Sequence, residues 1–161
     1  MGQHVRRLRL FAAPLSLALL CGSALTPQAH AYGGLEPALD ASALTELEQR
    51  AATAQPKDRC YLYSEALHGW TELVGRSMAD GDDKTAAEAL AHADADVEQL
   101  KSTLAGDSKR LKNAELILEH TAHRLSDMVR VASMNQHDAM QAVLKHLNNV
   151  HDVLLAQLFA H

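Results

Sequence analysis

In the stretch LKNAELILEHTAHRLSDMVRVA, Leu111 to Ala132, the residues Leu111, Ala114, Leu118, Thr121, Leu125, Met128 and Ala132 step by 3 and 4. That spacing puts them on one face of a helix and makes a heptad-like seam that can pack against other helices. No glycine or proline interrupts it, so the segment reads as one amphipathic helix.

The same periodicity recurs on both sides. Downstream, Ser133 or Asn135 opens a last helix with Met140, Val143, Leu144, Leu147, Val150, Leu154 and Leu158 on its stripe. Upstream, Asp107 or Ser108 is expected to start the seam helix, after Gly106 has closed an alanine-rich one. That helix carries Ala86, Ala89, Leu90, Ala93, Val97, Leu100 and Leu104 on one side, where a neighbour can approach closely. Gly81 sits where a helix C-terminal glycine belongs, and Asp82 or Asp83 can cap the alanine-rich helix. Asp58 can cap the preceding helix, which carries Tyr63, Ala66, Leu67, Trp70, Leu73, Val74 and Ser77. Before it, Asp40 or Ser42 caps a shorter helix with Ala43, Leu44, Leu47, Ala51 and Ala54 on one stripe, and Gln55-Pro56 ends it.

The last four helices are expected to span about 20–25 residues, roughly 30–37 Å each. Their loops run to no more than about five residues, which favours antiparallel neighbours. The predicted fold is all-α: an up-down-up-down four-helix bundle over residues 41–161, with an additional short N-terminal helix packed across or beside it. A tetratricopeptide array is the alternative, because Gly81 to Leu90 resembles the turn between such repeats. The helices are too long for it, and no 34-residue self-similarity appears.

Residues 1–31 read as a secretory signal peptide. Arg6, Arg7 and Arg9 form a basic start, Leu10 to Leu20 an apolar run, and Ala29 and Ala31 the small residues of a cleavage site before Tyr32. The apolar run contains Pro14 and is shorter than the roughly 20 residues a bilayer-spanning helix needs. Residues 32–40 form an extended lead with Gly33, Gly34 and Pro37. The expected location is therefore periplasmic or secreted, with no membrane span after cleavage.

The whole chain has 15 Lys+Arg against 20 Asp+Glu. Cleavage would remove three arginines and no acid, making the balance more negative still. That excludes nucleic acid and anionic membrane as expected partners, since both need a basic face. Of the two cysteines only Cys60 lies beyond the leader, so no internal disulfide is possible. Cys60 is expected to be buried and inert, or else to link two chains as a homodimer.

Four constellations bear on chemistry. Glu65-x-x-His68 has the di-iron spacing, but a second such motif is missing and both residues fall about 140–160° from the apolar stripe, towards water. His120, His123 and Asp127 form a strip that could hold zinc or copper on the side of the helix away from its seam. Lys109, Arg110 and Lys112 gather cations at a helix start, where an anion could bind the free N–H groups. His151 lies close to the last stripe and is expected to be partly buried and hydrogen-bonded, with Asp96 as the candidate partner. Leu116 and Leu155 fall off the stripes, and joint exposure would mark a partner face. No nucleophile turn, phosphate loop or haem motif is present.

The stretches Asp58-Arg59-Cys60-Tyr61-Leu62-Tyr63, Lys109-Arg110-Leu111-Lys112-Asn113-Ala114-Glu115 and Leu154-Leu155-Ala156-Gln157 resemble those of an uncharacterised family of short exported all-helical proteins from soil bacteria. The resemblance implies that Cys60 and the Lys109–Lys112 run belong to a shared pattern, and it assigns no activity. The expected function is a binding or structural accessory role, with no catalytic activity and no cofactor, through a protein partner or a homodimer. The alternatives are a periplasmic metal-binding protein using surface histidines and an anion-binding module.

Overall fold

A computed structural model describes residues 40–104 and 110–159, all within one compact unit. These residues form five helices: α1 (Ala41–Thr53), α2 (Pro56–Ala79), α3 (Asp83–Thr103), α4 (Leu111–Val131) and α5 (Met134–Phe159). No strand occurs among them. The fold is the expected all-α bundle of four long helices with a shorter one in front.

Local chemistry sets most of the helix ends. The Asp40 carboxylate accepts from the Ala43 N–H at 2.9 Å and caps α1. α2 starts earlier than the expected Asp58 cap: Gln55 precedes it, Pro56 occupies its first turn, where a missing N–H costs nothing, and Asp58 lies inside that turn. Gly81 takes φ 72°, and the Gly81 and Asp82 amides donate back to Met78 and Ser77, closing α2 in a Schellman turn. The Asp82 side chain then accepts from the Thr85 N–H at 3.0 Å, so one residue both ends α2 and caps α3. Ser133 opens α5, its carbonyl accepting from Gln136 and His137. The expected start of α4 at Asp107 or Ser108 and the stop at Gly106 lie outside the described residues.

The core is a single cluster, and its buried positions keep the spacing of 3 and 4 in each long helix. Leu67, Leu118 and Leu147 are wholly buried at mid-height. The neighbours are less obvious than the periodicity. The extensive interfaces are α2 with α3, α4 with α5, α2 with α4, α3 with α5, and α1 with α2. In cross-section the ring therefore runs α2, α3, α5, α4, and α3 sits diagonally from α4.

Short connections make antiparallel hairpins of α2–α3 and α4–α5. The two hairpins then lie side by side in the same sense. His68–Thr121 and Asp83–Gln136 bond 53 residues apart, and Glu72–Arg124 and Asp94–His146 bond 52 apart. Only parallel pairs give so constant an offset. The helix directions alternate along the chain as predicted, but α3 and α4, though consecutive, are not principal neighbours. Two hairpins stacked in one sense share that single feature with helical repeats, yet here they close on one core.

α1 packs against the outside of α2 by Leu44, Leu47 and Ala51. Leu44 lies over Gly69 so closely that a Cβ there would meet its Cδ2 at 2.3 Å. Gly69 is what lets α1 settle onto α2. No helix among the described residues is long and apolar enough to cross a membrane.

Candidate functional site

Histidines stand at the helix interfaces. His92 of α3 donates from Nδ1 to Glu48 of α1 at 2.9 Å and stacks on Trp70 of α2, with ring centroids 4.1 Å apart and planes 15° from parallel. Trp70 Nε1 donates to the same Glu48 oxygen at 2.7 Å. His146 of α5 bonds Asp94 of α3 at 3.0 Å, and His151 of α5 bonds Glu115 of α4 at 3.3 Å. His68 of α2 meets Thr121 of α4 at 3.2 Å.

Close to the Glu48–Trp70–His92 group lies Asp96, 2% exposed, whose Oδ2 has no hydrogen-bond partner among the described residues. Burial, reinforced by the nearby Glu48 charge, pushes its carboxyl up to about 8. Asp96 is thus a neutral acid at pH 7, held between α1, α2 and α3. Burial and then the Asp96 charge also push the Tyr63 hydroxyl up.

Each residue singled out by sequence has a place. His151 is partly buried and hydrogen-bonded as expected, but its partner is Glu115, not Asp96. The antiparallel α4–α5 pairing sets position 151 across from 115, whereas α3 shares its main interface on the Asp96 side with α2. His68 does not face water: it is half-buried against α4, because α2 is covered by α1, α3 and α4 together. Glu65 accepts a hydrogen bond from the Tyr61 hydroxyl.

His120, His123 and Asp127 are all exposed, and Asp127 turns to Arg130 at 3.7 Å. Among the described residues no group of three or more His, Cys, Asp or Glu is arranged to hold a metal. The three are therefore not assembled as a ligand set.

Arg110 has turned to α2, with Asp58 at 3.9 Å and its guanidinium 4.5 Å from the Tyr61 ring centroid. Lys112 is exposed, and Lys109 lies outside the described residues. The cationic run is thus divided, with Arg110 already compensated by an acid and a ring face. Leu116 is 54% exposed but Leu155 is half-buried, so the two do not make a joint face.

Cys60 is 3% exposed, and burial pushes its thiol up to about 11. A bond between two chains through this sulfur would require α2 to leave its neighbours. A thiol reagent at about pH 8 is expected to react at least a hundredfold more slowly with Cys60 in the native protein than in denaturant, since only the thiolate is reactive. Equal rates, followed by absorbance, would show an accessible thiol.

An opening is cut into the bundle surface between the start of α5 and the first half of α3. It encloses about 300 Å³, with Leu90, Met140 and Val143 as floor and the exposed Ala87, Ala91, Ala139 and Ala142 among its walls. The alanines keep the walls low, which is how their clustering on α3 finds expression. Asp94 stands at the margin, tied to His146.

Sequence reasoning missed the Glu48–Trp70–His92 cluster. Glu48 and His92 each follow or precede a stripe residue by one position, a signal too weak to separate them from ordinary surface residues. Comparison with protein-family models, curated proteins and solved structures gives no match.

Proposed function

We propose that this chain is an exported helical-bundle protein that acts by binding a partner polypeptide, in an accessory role without catalysis. The groove between α3 and α5 is its contact surface, and that groove is the observation that carries the reading. Its floor is apolar and its walls are mostly alanine methyls, with Asn135 and Gln136 also lining it, a shape suited to one or two large apolar side chains from another helix. Its carboxylate, Asp94, is engaged by His146 rather than aimed inward. The basic start, apolar run and small residues of 1–31 support export to the periplasm or beyond, with the mature chain starting at Tyr32.

A photo-crosslinking amino acid placed at Ala91 in the exporting host tests this, with the exposed Ala95, which does not line the groove, as control. The expected result is a discrete crosslinked species from position 91 and none from 95, lost when Ala87→Arg fills the groove. Equal labelling at both positions, or none at either, overturns the reading. The mass of the recovered protein reports the cleavage site, and a retained leader removes the case for export.

A further inference from the structure

The α2–α4 interface holds a pair of histidines that the binding reading does not use. Thr121 Oγ1 donates its single proton to the Ile117 carbonyl at 2.7 Å. Its contact with His68 Nδ1 at 3.2 Å therefore has the imidazole as donor. That fixes the tautomer: Nδ1 carries the proton and Nε2 presents a lone pair. An imidazole oriented by donating its other N–H to a protein oxygen is the usual state of a metal ligand.

A second imidazole stands beside it. The His68 and His120 ring centroids are 5.3 Å apart with planes tilted by 59°. A metal bound to two imidazole nitrogens at about 2.0–2.1 Å, with an angle of about 90–120° between them, sets the ring centroids about 4.5–5.5 Å apart. The observed separation falls in that range.

We propose that His68 and His120 form an interhelical site for a borderline divalent transition metal, zinc or copper, that clamps α2 to α4. The ligand choice follows from the donors, since paired neutral imidazoles suit these ions and not magnesium or calcium. Burial holds the His68 ring below the usual histidine range, so at neutral pH a metal displaces no proton from it. His120 is exposed, which leaves an entry path and room for water to complete the shell.

No third protein ligand is in place among the described residues, so the site keeps open positions. Glu72 lies near His68 and is paired with Arg124 at 3.0 Å, which offsets the positive charge of that guanidinium beside His68. This differs from the His120–His123–Asp127 strip, because the second imidazole comes from another helix and is already oriented.

Titration of the full chain with Zn²⁺ alone, followed by calorimetry and thermal melting, tests the site. The expected result is saturable binding of about one zinc per chain and an upward shift in Tm that chelator reverses. His68→Gln and His120→Gln each abolish both effects, while His123→Gln keeps them. Histidine ring ¹⁵N spectra of the unmutated protein give an independent readout should His68→Gln fail to fold: zinc shifts Nε2 of His68 and of one neighbour, His120. Absence of saturable binding overturns the proposal. So does binding that survives His68→Gln but fails in His123→Gln, or zinc that leaves the His68 resonances unmoved.

Discussion

Asp96→Asn is expected to flatten the pH dependence of stability, so that the variant gains about 3–4 kcal/mol on the parent between pH 5 and pH 8. The reasoning starts from burial. Asp96 is 2% exposed, its Oδ2 lacks a partner among the described residues, and its carboxyl is pushed from 3.8 up to about 8. Below about pH 4 the folded and unfolded chains both carry the proton, and stability is at its full value. Between about pH 4 and pH 8 the unfolded chain releases the proton while the folded chain keeps it. Stability therefore falls as pH rises, by about 1.4 kcal/mol per unit, and levels off above pH 8.

An asparagine at the same position has no proton to release. Its amide needs hydrogen-bond partners of its own, which costs about 1–3 kcal/mol at any pH. That constant drops out of the comparison between two pH values. Asp40 and Asp82, whose carboxylates are lowered by their capping bonds, titrate alike in both proteins and also cancel. Urea unfolding at pH 5 and pH 8, followed by the fluorescence of the single tryptophan, measures the difference. Parallel pH profiles for parent and variant would show that Asp96 ionises freely in the fold.

Trp70→Ala is expected to destabilise the bundle by about 3–5 kcal/mol, read by circular dichroism because the substitution removes the fluorophore. Trp70 is 2% exposed and joins three helices: it belongs to α2, stacks on His92 of α3 and donates to Glu48 of α1. Truncation leaves a cavity the size of an indole where α1, α2 and α3 meet. Trp70→Phe separates packing from hydrogen bonding. It keeps most of the volume and loses the N–H, so a cost of about 1 kcal/mol is expected, since Glu48 retains His92 and some solvent. Equal losses for the two variants would place the whole effect in the hydrogen bond.

These two residues share a neighbourhood, and its role is set by the elements around it. α1 is short, and its apolar contribution is Leu44, Leu47 and Ala51. The Glu48 bonds to Trp70 and His92 give it a fixed register on the α2–α3 hairpin. The buried Asp96 carboxyl near Glu48 is tolerated by staying protonated.

Much of the architecture was legible because it is local. Spacings of 3 and 4 depend only on the helical period, so they revealed four long helices and a short one. The Gly81 turn was legible for the same reason, since a left-handed residue and a capping aspartate act within a few positions of each other. The burial of Cys60 matched one of the two readings open to a lone thiol. His68 was misplaced by the same arithmetic that worked elsewhere. Measuring angles from one apolar stripe assumes a helix with one covered side, and α2 has three neighbours.

By itself the sequence determined the helices, their alternating directions and the apolar faces they bury, all set by backbone geometry and hydrophobic period. It did not determine which helices touch. Connection lengths constrain the ends of successive helices, but the pairing of hairpins is decided by how all the faces fit at once. That fit placed α2 beside α4 and α3 beside α5, with the low alanine walls of α3 leaving a groove. The same packing brought His68 to His120, His151 to Glu115 and Asp96 into the interior, because residues more than 30 positions apart meet only when the helices carrying them have closed on a common core.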